Sequence, residues 1–376
     1  MIDHNPWDMA ALSKPPPFIE APAYGTRGIR ALFYDALPYK NNPTRTFAYY
    51  GCPAVEPGKK VPAMVLVHGG GGSAFIAWVE LWVRRGYAAI SMDTCGCING
   101  GIPTKHSPHD MGGPPGWGGF EQMGEALHDQ WTYHAVADVI LAHSLIRSFK
   151  EVDAARIGLT GISWGGYLAC LAASVDHRFR FAAPVYGCGF LEDSVLLEDA
   201  IKATSLSSAS DWLAQWDPSH YLQRVTMPML WLTGTNDFAF SLRALQKSYR
   251  LPAGAHTLSI HLRMIHGHGG HGENPEEIHA FANCLLKNKA PLATISGVKR
   301  IERTVHIHFT GGVPIVDCQL LFTRDTCPWA DRHWESTQAH LEKESSFVEL
   351  PRGTVAYYLN LIDERNLTVS SEHEEL

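Results

Sequence analysis

Arg156-Ile-Gly-Leu-Thr-Gly161-Ile-Ser163-Trp-Gly165-Gly-Tyr-Leu-Ala-Cys170 is the stretch that decides the fold. The segment Arg156–Thr160 reads as a buried strand, and Gly166 to Val175 reads as a helix of small residues. Between them lies Gly161-Ile162-Ser163-Trp164-Gly165, a G-x-S-x-G turn. A serine on so tight a strand-to-helix turn is forced to an awkward backbone angle, and its hydroxyl stands above the sheet. The Trp164 N–H then lies at a helix N-terminus, where a developing oxyanion is stabilised. The plainer reading is a glycine turn whose serine caps the helix; the strand–turn–helix setting favours a nucleophile.

Moving outward, the apolar run Ala63–Val67 ends in His68-Gly69-Gly70-Gly71-Gly72. Backbone without side chains can approach a substrate carbonyl, so Gly70 or Gly71 supplies the second oxyanion donor. A phosphate loop is the competing use of such a run, but no Lys-Ser/Thr follows it. Downstream, the strand Met229–Leu232 leads to Asp237, a carboxylate at the crevice end of a parallel sheet. The loop Ile265-His266-Gly267-His268-Gly269-Gly270-His271 must carry the base. His268 is taken as that base because it leaves several loop residues before the next helix. His266 is the runner-up, or a pocket-lining or supporting group, and His271 comes third. Three imidazoles on a glycine loop could hold zinc, but an ion there would compete with the triad, so no metal and no cofactor is expected. The chain order Ser163, Asp237, His268 is that of α/β-hydrolases.

Strands and helices alternate over about 230 residues, which indicates one doubly wound, mostly parallel sheet. Helices are expected over Phe75–Arg85, His134–Phe149 and from Pro275, capped by Asn274. Irregular insertions at about 94–133 and 190–220 read as lids. Their aromatic residues Trp117, Phe120, Trp131, Trp212 and Trp216 either wall a substrate pocket or belong to the core; His68, Trp117 and Trp131 are the pocket candidates, with Asp129 and His134 also near the site. From residue 291 the pattern changes to strict alternation, as in Val305, Ile307 and Phe309, and in Val355, Tyr357, Leu359 and Leu361. Residues 1–290 are therefore assigned to a catalytic domain and 291–376 to a small β-sandwich.

The 376 residues carry 45% hydrophobic and 18% charged side chains with a net charge of −7, which excludes a disordered chain and argues against nucleic acid as a partner. No apolar run approaches the roughly 18 residues of a bilayer span. The first seventeen residues contain no secretory signal as written, and the eight cysteines include no CxxC pair. A reduced cytoplasmic protein is the expectation, with a secreted or periplasmic mature form as the alternative. Cys95 and Cys97 read as part of a loop beside a pocket; Cys318 and Cys327 are a candidate bridge between strands.

The Gly-Ile-Ser-Trp-Gly-Gly elbow resembles those of acetyl xylan esterases, dienelactone hydrolases and prolyl-oligopeptidase-like proteins. His68-Gly-Gly-Gly-Gly, Arg85-Gly-Tyr-Ala-Ala-Ile and Pro184-Val-Tyr-Gly-Cys-Gly narrow the resemblance to bacterial acetyl xylan esterase-like proteins. The likeness implies a serine carboxylesterase acting on small acyl esters, with acetyl esters of carbohydrates as the expected substrates, through an acyl-enzyme on Ser163. Dienelactone hydrolases usually place a cysteine where Ser163 stands. Two other readings stay open, a serine exopeptidase and a non-catalytic glycan-binding protein. An exposed edge of the sandwich offers a surface for homo-oligomers.

Overall fold

The computed structural model of the chain describes residues 5–99, 106–194 and 206–376, so the expected lid insertions at 94–133 and 190–220 fall partly outside the described residues. The main sheet is built from β1 (Phe18–Glu20), β2 (Ile29–Tyr39), β3 (Asn42–Gly51), β4 (Val61–Val67), β5 (Ala88–Met92), β6 (Val152–Ile162), β7 (Ala182–Val185), β8 (Met229–Gly234) and β9 (His256–His261). Their spatial order is β1-β2-β3-β5-β4-β6-β7-β8-β9. The six strands from β5 to β9 are parallel, and β1, β2 and β3 form an antiparallel edge.

β4 is buried from Pro62 to Val67 and β5 along its whole length, as expected of strands covered on both faces by crossover helices. Those helices are α1 (Ile76–Arg84), α2 (Trp131–Ser148), α3 (Trp164–Val175), α4 (Leu242–Tyr249) and α5 (Glu276–Lys287). α1 buries Trp78, Val79 and Trp82, close to the expected face. α2 begins three residues before the expected His134. α5 begins one residue late, with Pro275 as its cap, because Asn274 accepts a hydrogen bond from the Arg85 guanidinium at 2.9 Å instead of capping.

The strands from Thr294 onward are antiparallel: β10 (Thr294–Ile301), β11 (Thr304–Thr310), β12 (Ile315–Thr323), β13 (Trp334–Gln338), β14 (His340–Leu341), β15 (Ser345–Glu349), β16 (Ala356–Asp363), β17 (Thr368–Ser370) and β18 (Glu374–Glu375). They form two sheets, β10-β11-β15-β14 and β13-β12-β16-β17 with β18 on β16. β11 alternates as read, with Val305, Ile307 and Phe309 buried. β16 does not, since Ala356, Tyr358 and Asn360 are buried as well. Its second face lies against the open edge of β9: Asn360 Nδ2 donates to Ile260 O at 3.1 Å, and Ile260 N–H donates to Ser370 Oγ at 2.7 Å. The edge is thereby closed to other strands. Cys318 and Cys327 are both free thiols, so the candidate bridge is not formed.

The junction of β6 with α3 has no spare room. A Cβ on Gly165 would lie 2.0 Å from Val67 O, and one on Gly161 would lie 2.0 Å from Gly165 O. Gly165→Ala is therefore expected to lower the unfolding free energy by about 3 kcal/mol or more, measured by urea denaturation.

Candidate active site

Ser163 occupies the position before α3 with φ 57° and ψ −119°. A non-glycine residue there costs about 1–3 kcal/mol and persists only where its surroundings over-determine it. The surroundings are main-chain bonds: Ser163 N–H donates to Val185 O at 2.9 Å, and Ser163 O accepts from Tyr167 N–H at 3.0 Å. The side chain makes no capping bond to the helix, and the residue is only partly buried. A capping serine is thus not what this geometry describes.

Asp237 follows β8, and its carboxylate is fixed from two sides. Oδ1 accepts the N–H groups of Ala239 and Phe240 at 2.9 and 2.7 Å, while Oδ2 accepts from His266 Nδ1 at 2.6 Å. The acid thus meets His266 and not His268, which corrects the pairing expected from the sequence. Counting loop residues before a helix misleads here, because a helical turn at Gly270–Glu273 starts right after His268 and Gly269. With Nδ1–H donated to Asp237, His266 keeps Nε2 as an acceptor, and that atom has no hydrogen bond among the described residues. The His266 ring stacks on Tyr186 at 4.4 Å between centroids, and Tyr186 OH donates to Ile265 O at 2.7 Å. Tyr186 follows Val185, the residue whose carbonyl holds Ser163, so one turn supports both nucleophile and imidazole.

His268 has a different set of partners. Its Nδ1 faces Glu273 Oε1 at 3.0 Å, and its Nε2 accepts the Gly69 N–H at 3.0 Å. From beneath, His68 Nε2 accepts the Thr94 N–H at 3.0 Å, so Nδ1 carries the proton and donates to Gly69 O at 2.8 Å. Gly69 is therefore held by imidazoles at both its N–H and its C=O. In a trans peptide the following N–H points away from that carbonyl, which turns the Gly70 N–H outward. Gly70 lies against the elbow, since a Cβ there would come 2.6 Å from Trp164 Cδ1. Gly71 has φ 73° and open space beside it.

Two of the three pocket candidates, His68 and Trp131, are placed otherwise than expected. His68 is fully buried under the glycine loop, and Trp131 is fully buried with its Nε1 donating to Thr94 O at 2.7 Å, so neither presents a substrate surface. Trp212 and Trp216 are buried too. With Phe120 and Tyr167, Trp131 and Trp212 pack around the Trp164 ring as a wall beneath the site. Trp117 is half-buried. Asp129 is bonded to Lys40 N–H; His134 is bonded to His128 O, and burial lowers its pKa to about 4. His271 is exposed on its helical turn. Glu273, Tyr186 and Asp93 escaped the sequence reading. Asp93 accepts from the Cys95 and Cys97 N–H groups and from Ser73 Oγ, shaping the loop beside the glycines. Two exposed apolar side chains lie beside His266: Phe238, whose ring centroid is 4.8 Å from that of the imidazole, and Ile265, the preceding residue. Among the described residues no group of three His, Cys, Asp or Glu side chains is arranged to hold a metal.

A partly exposed serine, an imidazole with a free acceptor nitrogen, a fixed carboxylate and outward main-chain N–H groups are the parts needed for acyl transfer. Comparison with known proteins agrees with the fold. Residues 31–225 match the model of the family described as acetyl xylan esterase (AXE1). Acetyl xylan esterase from Paenibacillus sp. R4 superposes with a TM-score of 0.59 at 23% identity, covering 74% of this chain and 92% of that one. Acetyl xylan esterase 1 from Thermoanaerobacterium sp. JW/SL YS485 gives 0.53 at 16% identity, covering 68% and 87%. Pyrococcus horikoshii acylaminoacyl peptidase gives 0.53 at 18% identity, covering 70% of this chain and 43% of its own. The acylamino-acid-releasing enzyme of Sus scrofa is 24% identical over 264 residues, 65% of this chain but 31% of that protein, so the chain spans about a third of the length of this curated relative. No helix among the described residues is long and apolar enough to cross a membrane.

A fluorophosphonate probe is expected to label this chain but not Ser163→Ala. His266→Ala should slow labelling by about a hundredfold or more, and His268→Ala by about tenfold at most, read by intact-mass spectrometry over time. The reverse ranking of the two histidines would return the base to His268.

Proposed function

We propose that this chain, which belongs to the acetyl xylan esterase family, is a serine carboxylesterase that removes acetyl groups from carbohydrate esters with Ser163 as nucleophile, His266 as base and Asp237 as acid. The observation that carries the reading is the 2.6 Å contact between Asp237 Oδ2 and His266 Nδ1, which leaves the other ring nitrogen to accept a proton. Ser163 Oγ attacks the ester carbonyl and gives its proton to His266 Nε2. Asp237 keeps the ring in the required tautomer and stabilises the imidazolium. The Trp164 N–H at the start of α3 and the Gly70 N–H meet the negative charge that grows on the carbonyl oxygen. Collapse of the tetrahedral species returns the proton from His266 to the leaving alcohol. Water then repeats the relay on the acyl-enzyme and releases acetate.

His268, in this scheme, is not the base but holds Gly69 so that the next peptide faces the substrate. The division of the chain at residue 290 into a catalytic domain and a β domain belongs to the same proposal. The exposed Phe238 and Ile265 line the way in, with apolar surface suited to the methyl group or to the face of a sugar ring. The similarity to two acylaminoacyl-releasing proteins keeps a peptidase as the second reading.

Turnover of p-nitrophenyl acetate and of acetylated xylo-oligosaccharide is expected, with aminoacyl-nitroanilides slower by about a hundredfold or more. Ser163→Ala should cost about ten-thousandfold in kcat with the fold intact by circular dichroism. Undiminished acetate release by that variant overturns the nucleophile, and preference for the anilide overturns the esterase reading.

A further inference from the structure

The acid and the base stand on two loops, and both loops are tied to the same segment of the C-terminal β domain. That segment runs from the end of β12 to Trp334, the first residue of β13, and includes the turn Trp329–Asp331. Asn236, next to the acid, sends its Nδ2 hydrogens to Ala330 O at 2.9 Å and Arg332 O at 2.8 Å. Its Oδ1 accepts from Thr235 Oγ1 at 2.8 Å, and that hydroxyl oxygen in turn accepts the Arg263 N–H at 2.9 Å. Arg263 opens the loop that leads to His266, and its guanidinium donates to Trp334 O at 2.8 Å beside His333 Nδ1. The bonds form a closed ring through three segments: acid loop, base loop and β-domain loop.

Two further observations bear on its purpose. Arg263 sits at φ 51°, a left-handed conformation that an arginine adopts only under constraint. The strain is stored three residues before His266, and the ring supplies the constraint. The β-domain loop is itself stiff: Trp329 stacks on the buried Trp334 with an interplanar angle of 21°, and the Arg332 guanidinium lies 3.8 Å from the Trp329 ring centroid. A loop needed only to cover the edge of β9 would not require this, because Asn360 and Ser370 already do so.

We propose that the β domain is a positioning element of the active site, in which Asn236 and Arg263 lock the Asp237 and His266 loops onto the carbonyls of Ala330, Arg332 and Trp334. The proposal rests on Asp237 and His266 being the acid and base. Asn236 and Arg263 touch no substrate in it; they act by holding the 2.6 Å contact between the two side chains. A misplacement of about 1 Å at such a contact costs up to about a hundredfold in turnover.

The test measures p-nitrophenyl acetate hydrolysis by the full chain, with active sites counted by fluorophosphonate titration. Arg263 is exposed, so its replacement leaves the core alone. Arg263→Ala and Asn236→Ala should each lower kcat per titrated site by about tenfold or more with KM within about twofold. Arg263→Lys, which can still donate to Trp334 O, should recover most of the loss. The double variant should lose less than the product of the single losses, because both break one ring. Values of kcat per titrated site within about twofold of the parent in Arg263→Ala overturn the proposal even if Asn236→Ala does not fold. His266→Ala separates the two failures: if it is inactive while Arg263→Ala is unaffected, the clamp alone falls, and if it is fully active, the acid–base assignment falls and takes the clamp with it.

Discussion

Everything at the site depends on the close approach of main chain to main chain at the elbow. Ser163 can hold φ 57° because Gly161, Gly165 and Gly187 let three backbone segments meet where no side chain fits. A Cβ on Gly187 would come 2.3 Å from Ser163 O. The cost of the strained serine is local, and it is offset by the burial of β4, β6 and β7 beneath it and of α3 behind it. What the molecule gains is a hydroxyl lifted off the sheet, beside the first N–H groups of a helix. Those groups lack partners within their own helix. They are therefore free to receive charge from a substrate without rearranging, which is the condition under which such donors are most effective.

A second constraint acts on the glycine loop. Freedom from side chains lets residues 69–72 approach a substrate, but the same freedom would let the loop wander. Two neutral imidazoles restrain it, one from the buried side and one from the histidine loop. Each is locked in its tautomer by a partner on its other nitrogen, Thr94 for His68 and Glu273 for His268. The histidine loop thus carries two rings with different duties, and the partner on Nδ1 distinguishes them: Asp237 for one, Glu273 for the other.

This is also why the elbow was legible in the sequence and the base was not. Glycines at 161 and 165 around a serine encode a short-range steric requirement, which five residues express completely. Choosing among His266, His268 and His271 requires knowing where β8 ends relative to the loop, a long-range matter that spacing along the chain does not contain. Glu273, five residues after His268, was the available signal. The parallel strands were visible as apolar runs bounded by glycine. The hairpin of β2 and β3 was less so, because Pro38 and Pro43 lie within it, although Lys40 and Asn41, both at positive φ, mark its turn. The lid tryptophans could not be sorted at all. An aromatic residue near a site has the same sequence signature whether it faces substrate or, like Trp131 and Trp212, packs beneath the elbow.

The β domain was legible as a domain but not as a neighbour of the site. Alternation in β11 marks a strand with one buried face, and β16 breaks that rule by burying both. The second face exists because β9 would otherwise end the large sheet with an open edge. Once a domain is docked along β9, its loops necessarily hang over the ends of β8 and β9, where the acid and base loops begin. Asn236 and Arg263 lie at those strand ends. Edge protection and loop anchoring are therefore two consequences of one docking geometry, the first set by hydrogen bonds along β9 and the second by the carbonyls of a single loop at its end.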